Sequence, residues 1–136
     1  MGQGRHCGGV QPVSVLIADD APVSRRALRA VVGLRSRFEV VGEAADGEQA
    51  VEAVERLQPG IVIMDARMPR MDGIAATARI KSRWPAVRVI VHSQADDLSE
   101  SAFAAGADAF IAKGSPVQDL LTALEASADR TANASM

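Results

Sequence analysis

The sequence predicts an α/β fold, a doubly wound sheet of five parallel strands with helices on both faces. Three observations lead to this fold. From residue 13 onward, short apolar runs alternate five times with longer runs at helical spacing. The apolar runs show little polar alternation, as expected for parallel strands covered on both faces. Most of them end in an acid, a hydroxyl or a lysine, and open α/β sheets bind ligands at those carboxyl ends.

Size and composition limit the class of protein. With 136 residues, of which 48% are hydrophobic and 24% charged, the chain fits one compact soluble domain. We expect no membrane segment, because no apolar run approaches the roughly 20 residues that span a bilayer. The single cysteine and the lack of a secretion-type start favour a cytoplasmic protein. A net charge of −2 gives no electrostatic reason to bind nucleic acid.

The first unit begins with an apolar strand over residues 13–18 that ends in Asp19 and Asp20. Pro22 follows near the first turn of a helix, where its missing donor does little harm. The spacing turns these residues inward: Val23, Ala27, Leu28, Ala30 and Val31. It turns Arg25, Arg26 and Arg29 more outward, either as a solvated face or as a docking edge for a partner.

The second and third units repeat the pattern. A strand over 38–44 is followed by a helix over 47–57. The third strand, 61–64, ends at Asp65, because Pro69 cannot lie inside a paired strand. Asp72 is placed to cap the next helix, 73–83.

The last two units end in Ser93 and Lys113. A strand over 87–91 leads to Ser93, and a short helix over 96–105 closes at Gly106. A strand over 109–112 ends at Lys113, and Ser115 and Pro116 open the fifth helix. The folded domain is thus predicted over 13–128. Disordered tails are expected over 1–12 and over 129–136, where the second could also begin a linker.

A flavodoxin-like strand order, 2-1-3-4-5, would bring the strand ends together at the switch point between the first and third strands. The strand ends carry Asp19 and Asp20, Glu43 near the second, Asp65, Ser93 and Lys113, and three acids, one hydroxyl and one ammonium would converge. Neighbouring strands lie about 4.8 Å apart. Two carboxylates 4 Å apart repel by about 4 kcal/mol at an effective dielectric of 20, so compensation is required. Lys113 supplies one charge, and Mg²⁺ suits the remaining oxygen ligands.

This set of groups is equipped for phosphoryl transfer. Asp65 would be the nucleophile, Lys113 and the metal would neutralise the phosphoryl oxygens, and Ser93 would hydrogen-bond the product.

The chain resembles the receiver domain of bacterial two-component response regulators over residues 13–128. The marks are the acidic pair Asp19–Asp20, the block 64–73 around Asp65, Ser93, and the block 105–113 ending in Lys113. The spacing is most similar to receivers of regulators with a LuxR-type helix-turn-helix output. The resemblance therefore implies a signalling module that belongs to a two-component system.

The resemblance implies that a sensor histidine kinase or phosphotransfer protein phosphorylates Asp65. It implies that Asp19, Asp20, Asp65 and the backbone carbonyl of Arg67 hold Mg²⁺. Ser93 and Phe110 take the positions of the switch hydroxyl and the switch aromatic. Such a domain is not an enzyme in the usual sense, although it helps to catalyse its own phosphorylation and hydrolysis. Its output is a protein–protein interaction face that changes on phosphorylation. A phosphorylation-dependent homodimer is one form of that output. The domain itself is not expected to bind nucleic acid directly.

Two rival functions fit parts of this pattern. A phosphohydrolase on a similar sheet needs a second acid two residues after the nucleophile, and that position is Arg67. A phosphorylation-independent pseudo-receiver would not need the full set of acids and Lys113. The sequence leaves the cognate kinase, the signal and the output open, including whether a DNA-binding domain follows.

Two positions depart from the family pattern. Gly114 replaces the proline that many receivers carry after the lysine, so no cis peptide is implied there. His92 replaces an aliphatic residue, and strand alternation turns it away from Ser93, as expected for a structural histidine.

Overall fold

The computed structural model describes residues 11–134, apart from the side chains of Asp96 and of residues 131–134. The tail predicted over 1–12 therefore lies almost wholly outside the described residues. The strands are β1 (Val13–Ala18), β2 (Phe38–Ala44), β3 (Ile61–Met64), β4 (Arg88–Ser93) and β5 (Ala109–Ala112). The helices are α1 (Pro22–Val32), α2 (Gly47–Leu57), α3 (Gly73–Arg83), α4 (Ser99–Ala104) and α5 (Val117–Ala134).

The five strands form one parallel sheet in the order β2-β1-β3-β4-β5. The predicted fold and strand order are thus confirmed. Because the order reverses between β1 and β3, the helices that follow these two strands lie on opposite faces. The crevice between them opens at the carboxyl edge of the sheet.

The sheet has a separate apolar core on each face. On one face, Leu16, Val62 and Val91 pack with residues of α2, α3 and α4. On the other, Ile17 and Ile63 pack with residues of α1 and α5. Alternate side chains of each strand point into the two cores, so the central strands are apolar throughout. Packing on both faces holds the ends of these strands in place.

The first helix differs from its predicted orientation. Leu28 and Val32 are its buried residues, whereas Val23 is 70% exposed, and Ala27 and Ala30 also face solvent. The rotation of the helix on the sheet decides this, and the apolar spacing of this eleven-residue helix leaves that rotation poorly defined.

Three element boundaries differ from the predicted ones. The fourth strand is shifted to Arg88–Ser93, and a 3₁₀ turn over Asp96–Leu98 precedes the shorter α4. The fifth helix continues to Ala134, although a tail was expected from residue 129. Arg37 binds Asp129 at 2.6 Å, and Arg130 lies 3.6 Å from Asp108, so two ion pairs hold the added turns.

No helix within the described residues has the length and apolar character that a bilayer span requires.

Candidate functional site

The acidic pair lies in the turn between β1 and α1. Asp19 is buried and Asp20 is exposed. The Asp19 carboxylate accepts a hydrogen bond from the amide of Ala21 at 2.9 Å through Oδ1. The chain can turn here because Pro22, at the first position of α1, has no amide to leave unpaired. The two acids are therefore held at the end of the central strand.

Asp65 follows β3 directly and is mostly buried, with 7% of its surface exposed. Its amide donates to the carbonyl of Ala18 at 2.9 Å, which continues the pairing of β3 with β1. The following loop returns to it closely, since a Cβ on Gly73 would lie 1.8 Å from the carbonyl oxygen of Asp65. Only glycine fits there. Asp72 then caps α3 by accepting from the amide of Ala75 at 2.8 Å, as predicted.

Lys113 reaches both acidic strand ends from β5. Its Nζ donates to Oδ2 of Asp19 at 2.9 Å and lies 3.4 Å from Oδ2 of Asp65. Burial alone would lower the pKa of Lys113, but the hydrogen bond to Asp19 and the attraction of Asp65 outweigh it, and the pKa is raised. The ammonium therefore stays charged.

Three carboxylates share this one ammonium. One carboxylate oxygen from each of Asp19, Asp20 and Asp65 lies within 4.8 Å of the other two. The pKa of Asp65 is raised, chiefly by burial, with Lys113 opposing the shift and Asp19 adding to it. A cation with a preference for oxygen ligands would relieve this excess of negative charge, and Mg²⁺ has that preference.

Ser93 ends β4 beside Lys113, whose amide donates to the Ser93 carbonyl at 2.8 Å. The Ser93 hydroxyl oxygen accepts from the amide of Ala95 at 3.1 Å, so its own hydrogen can be donated elsewhere. Asp20, Asp65, Lys113 and Ser93 open onto one cleft of about 420 Å³. The other lining residues are Ala21, Ser24, Arg67, Gln94 and Ala95.

Phe110 does not line this cleft. It lies in β5 opposite Val91 of β4 and is partly buried against the core on the α2–α4 face. The same register places Ser93 opposite Ala112, so Ser93 and Phe110 share one face of the sheet.

Glu43 lies near the carboxyl end of β2, as predicted, and apart from the acidic cluster. It lies at the β2 edge, where it accepts from Arg25 at 3.0 Å and from Arg29 at 2.8 Å. The inward reach of Arg25 was missed, since its spacing in α1 suggested an outward side chain.

His92 faces the α1–α5 side, away from Ser93, as predicted. It lines a cavity of about 150 Å³ with residues that include Leu28 and Leu120. Its buried Nδ1 has no hydrogen-bond partner within the described residues. Burial, with a smaller contribution from the charge of Lys113, lowers the pKa of His92 to about 4. A neutral structural histidine is consistent with these contacts.

Residues 15–125 match the family described as response regulator receiver domain. The chain is 43% identical over 105 residues to a protein-glutamate methylesterase/protein-glutamine glutaminase of Myxococcus xanthus, covering 75% of this chain and 30% of that protein. It is 42% identical over 121 residues to the transcriptional regulatory protein PdtaR of Mycobacterium tuberculosis, covering 88% and 58%.

Among solved structures, the fold is similar to that of a two-component response regulator of the LuxR family from Aurantimonas sp. SI85-9A1. The TM-score is 0.81 and the identity 31%, over 85% of this chain and 84% of that one. The chain thus spans less than two thirds of the length of both curated relatives but most of a solved regulator chain.

Proposed function

The chain belongs to the response regulator receiver domain family of phosphorylation-type signalling domains, and on that premise we propose that Asp65 accepts a phosphoryl group. The observation that carries this proposal is the position of Asp65. Its carboxylate lies in an open cleft, 3.4 Å from the ammonium of Lys113 and beside two further acids. A phosphoryl acceptor needs this combination of access and nearby positive charge.

In the proposed transfer, a carboxylate oxygen of Asp65 forms a bond to phosphorus while the bond from phosphorus to the donor nitrogen or oxygen breaks. The bonding electron pair leaves with the donor, which then takes a proton. Lys113 lies close enough to pair with the phosphoryl oxygens, and Ser93 can donate its hydroxyl hydrogen to them. The donor would be a histidine kinase or phosphotransfer protein, partners with which receiver domains interact.

Mg²⁺ fits the donor set of this site. Asp19, Asp20 and Asp65 supply hard oxygen ligands, and the cleft has room for the waters that Mg²⁺ retains. The backbone carbonyl of Arg67 would complete the protein ligands. Bound there, the ion would neutralise charge that develops on the transferred group.

The output would follow from Ser93 and Phe110. When Ser93 turns toward the phosphoryl group, space opens on the face of the sheet that it shares with Phe110. Phe110 is partly buried against that core, so a change in its rotamer would repack the edge formed by α4, β5 and α5. A homodimer formed through that edge is one form of output. A DNA-binding domain beyond the receiver is another, since the similar proteins include a transcriptional regulatory protein and a LuxR-family response regulator.

The test is phosphorylation of the purified chain by acetyl phosphate, with the modified residue identified by peptide mass spectrometry. We expect modification at Asp65 that requires Mg²⁺ and is absent from Asp65→Asn. Light scattering on the same samples reports any dimer. A chain that is never modified under these conditions would instead be a phosphorylation-independent pseudo-receiver.

A further inference from the structure

Arg25 joins the acidic turn to the neighbouring strand. Its Nη1 donates to the backbone carbonyl of Asp19 at 2.7 Å, and its Nε donates to Glu43 at 3.0 Å. The other carboxylate oxygen of Glu43 accepts from Arg29 at 2.8 Å. The side chain of Arg25 is 20% exposed and that of Arg29 is 51% exposed. Arg25 is thus the arginine of this pair that is packed against the turn.

The carbonyl that Arg25 holds belongs to the peptide unit between Asp19 and Asp20. Fixing that carbonyl fixes the plane of the peptide, and with it the position of the Asp20 Cα from which the side chain leaves the backbone. The Asp19 carboxylate has other supports in Ala21 and Lys113. The exposed Asp20 carboxylate, by contrast, makes no hydrogen bond or ion pair to the groups that the structure describes. Its placement depends on the backbone.

We propose that Arg25, braced by Glu43, is a positioning residue that pre-forms the carboxylate pair for Mg²⁺. The inference rests on the proposed function, because it concerns the metal site of the same reaction. Residues that orient metal ligands typically contribute 10- to 100-fold to metal affinity. Holding the peptide in place before the ion arrives removes part of the ordering entropy from the binding step.

The charge of Arg25 acts in the opposite direction. A guanidinium near three carboxylates repels an incoming cation, so removing only its charge would strengthen Mg²⁺ binding. Loss of positioning would weaken it. The sign of the change therefore separates the two roles.

The test is a titration of the full chain with MgCl₂, in which binding is monitored through the ¹⁵N amide chemical shifts of the site residues. We expect Arg25→Gln to weaken binding about tenfold. Arg25→Lys should also weaken it, because a lysine keeps the charge but lacks the fork that reaches both oxygens. Arg29→Gln is the matched control. It removes the same charge and a bond to the same Glu43, but no bond to the turn, and should stay within about twofold of the wild type.

A second readout excludes a general loss of structure. With acetyl phosphate, Arg25→Gln should raise the Mg²⁺ concentration for half-maximal rate while the rate at saturating Mg²⁺ remains near that of the wild type. The inference is overturned if Arg25→Gln and Arg25→Lys bind Mg²⁺ as tightly as the wild type or more tightly, or if Arg29→Gln loses as much. A wild type that binds no Mg²⁺ would instead overturn the magnesium site itself, and the inference with it.

Discussion

Asp65→Asn should stabilise the metal-free protein, because Asp65 is held in an excess of negative charge. One of its oxygens lies within 4.8 Å of one oxygen each of Asp19 and Asp20, and its Oδ2 lies 3.4 Å from Nζ of Lys113. At an effective dielectric of 20, each acid repels it by about 3.5 kcal/mol and the lysine attracts it by about 5 kcal/mol. The net repulsion is about 2 kcal/mol, and solvent screening of the exposed Asp20 reduces it to about 1–2 kcal/mol.

The assay is urea unfolding in EDTA and again in MgCl₂. In EDTA the unfolding free energy of Asp65→Asn should exceed that of the wild type by about 1–2 kcal/mol. Mg²⁺ at 100 times its Kd should stabilise the wild type by about 2.7 kcal/mol and the variant by less, which removes or reverses the difference. Glu52→Gln neutralises an exposed acid on α2 and should change neither condition. A destabilised Asp65→Asn in EDTA, or equal stabilisation of both proteins by Mg²⁺, would refute the electrostatic account.

Three other substitutions test individual contacts around the strand ends. His92→Leu should flatten the pH dependence of the unfolding free energy. In the wild type, the buried His92 must become charged as the pH falls from about 6.5 to 4, which lowers that free energy by up to about 3 kcal/mol. Equal losses of unfolding free energy in both proteins, measured in urea at each pH, would contradict this. Gly73→Ala should lower the unfolding free energy by about 3 kcal/mol, since its Cβ would meet the Asp65 carbonyl, and a normal urea midpoint would count against that contact. Asp72→Ala should cost about 1 kcal/mol by removing the cap of α3, measured by thermal unfolding, and no change in Tm would show that the cap is unimportant.

The strand ends could be predicted from sequence because their signals are local. Pro69 cannot continue a paired strand, so the apolar run before Asp65 has a defined end. Once the strand order is known, the ends of β1, β3 and β5 must converge. The ion pair between Lys113 and Asp19 confirms that convergence. The roles assigned to these residues remain predictions.

Features that depend on long-range packing could not be predicted. Whether Arg25 points into the turn is set by the rotation of α1 on the sheet, and the exposed Val23 shows that apolar spacing misjudged that rotation. The extension of α5 depends on Arg37 and Asp129, which are separated by 92 residues in the sequence. No local pattern reports such a pair.

Formation of a beryllofluoride adduct tests the central claim most directly, because this group mimics a phosphoryl group on an aspartate. Fluorine NMR of the wild type with beryllofluoride and Mg²⁺ should show a bound signal, accompanied by amide shifts at Asp65, Ser93 and Phe110. Neither should occur with Asp65→Asn or in EDTA. A bound signal that persists in Asp65→Asn would place the adduct elsewhere, and no signal from the wild type would contradict the account of Asp65 as the phosphoryl acceptor.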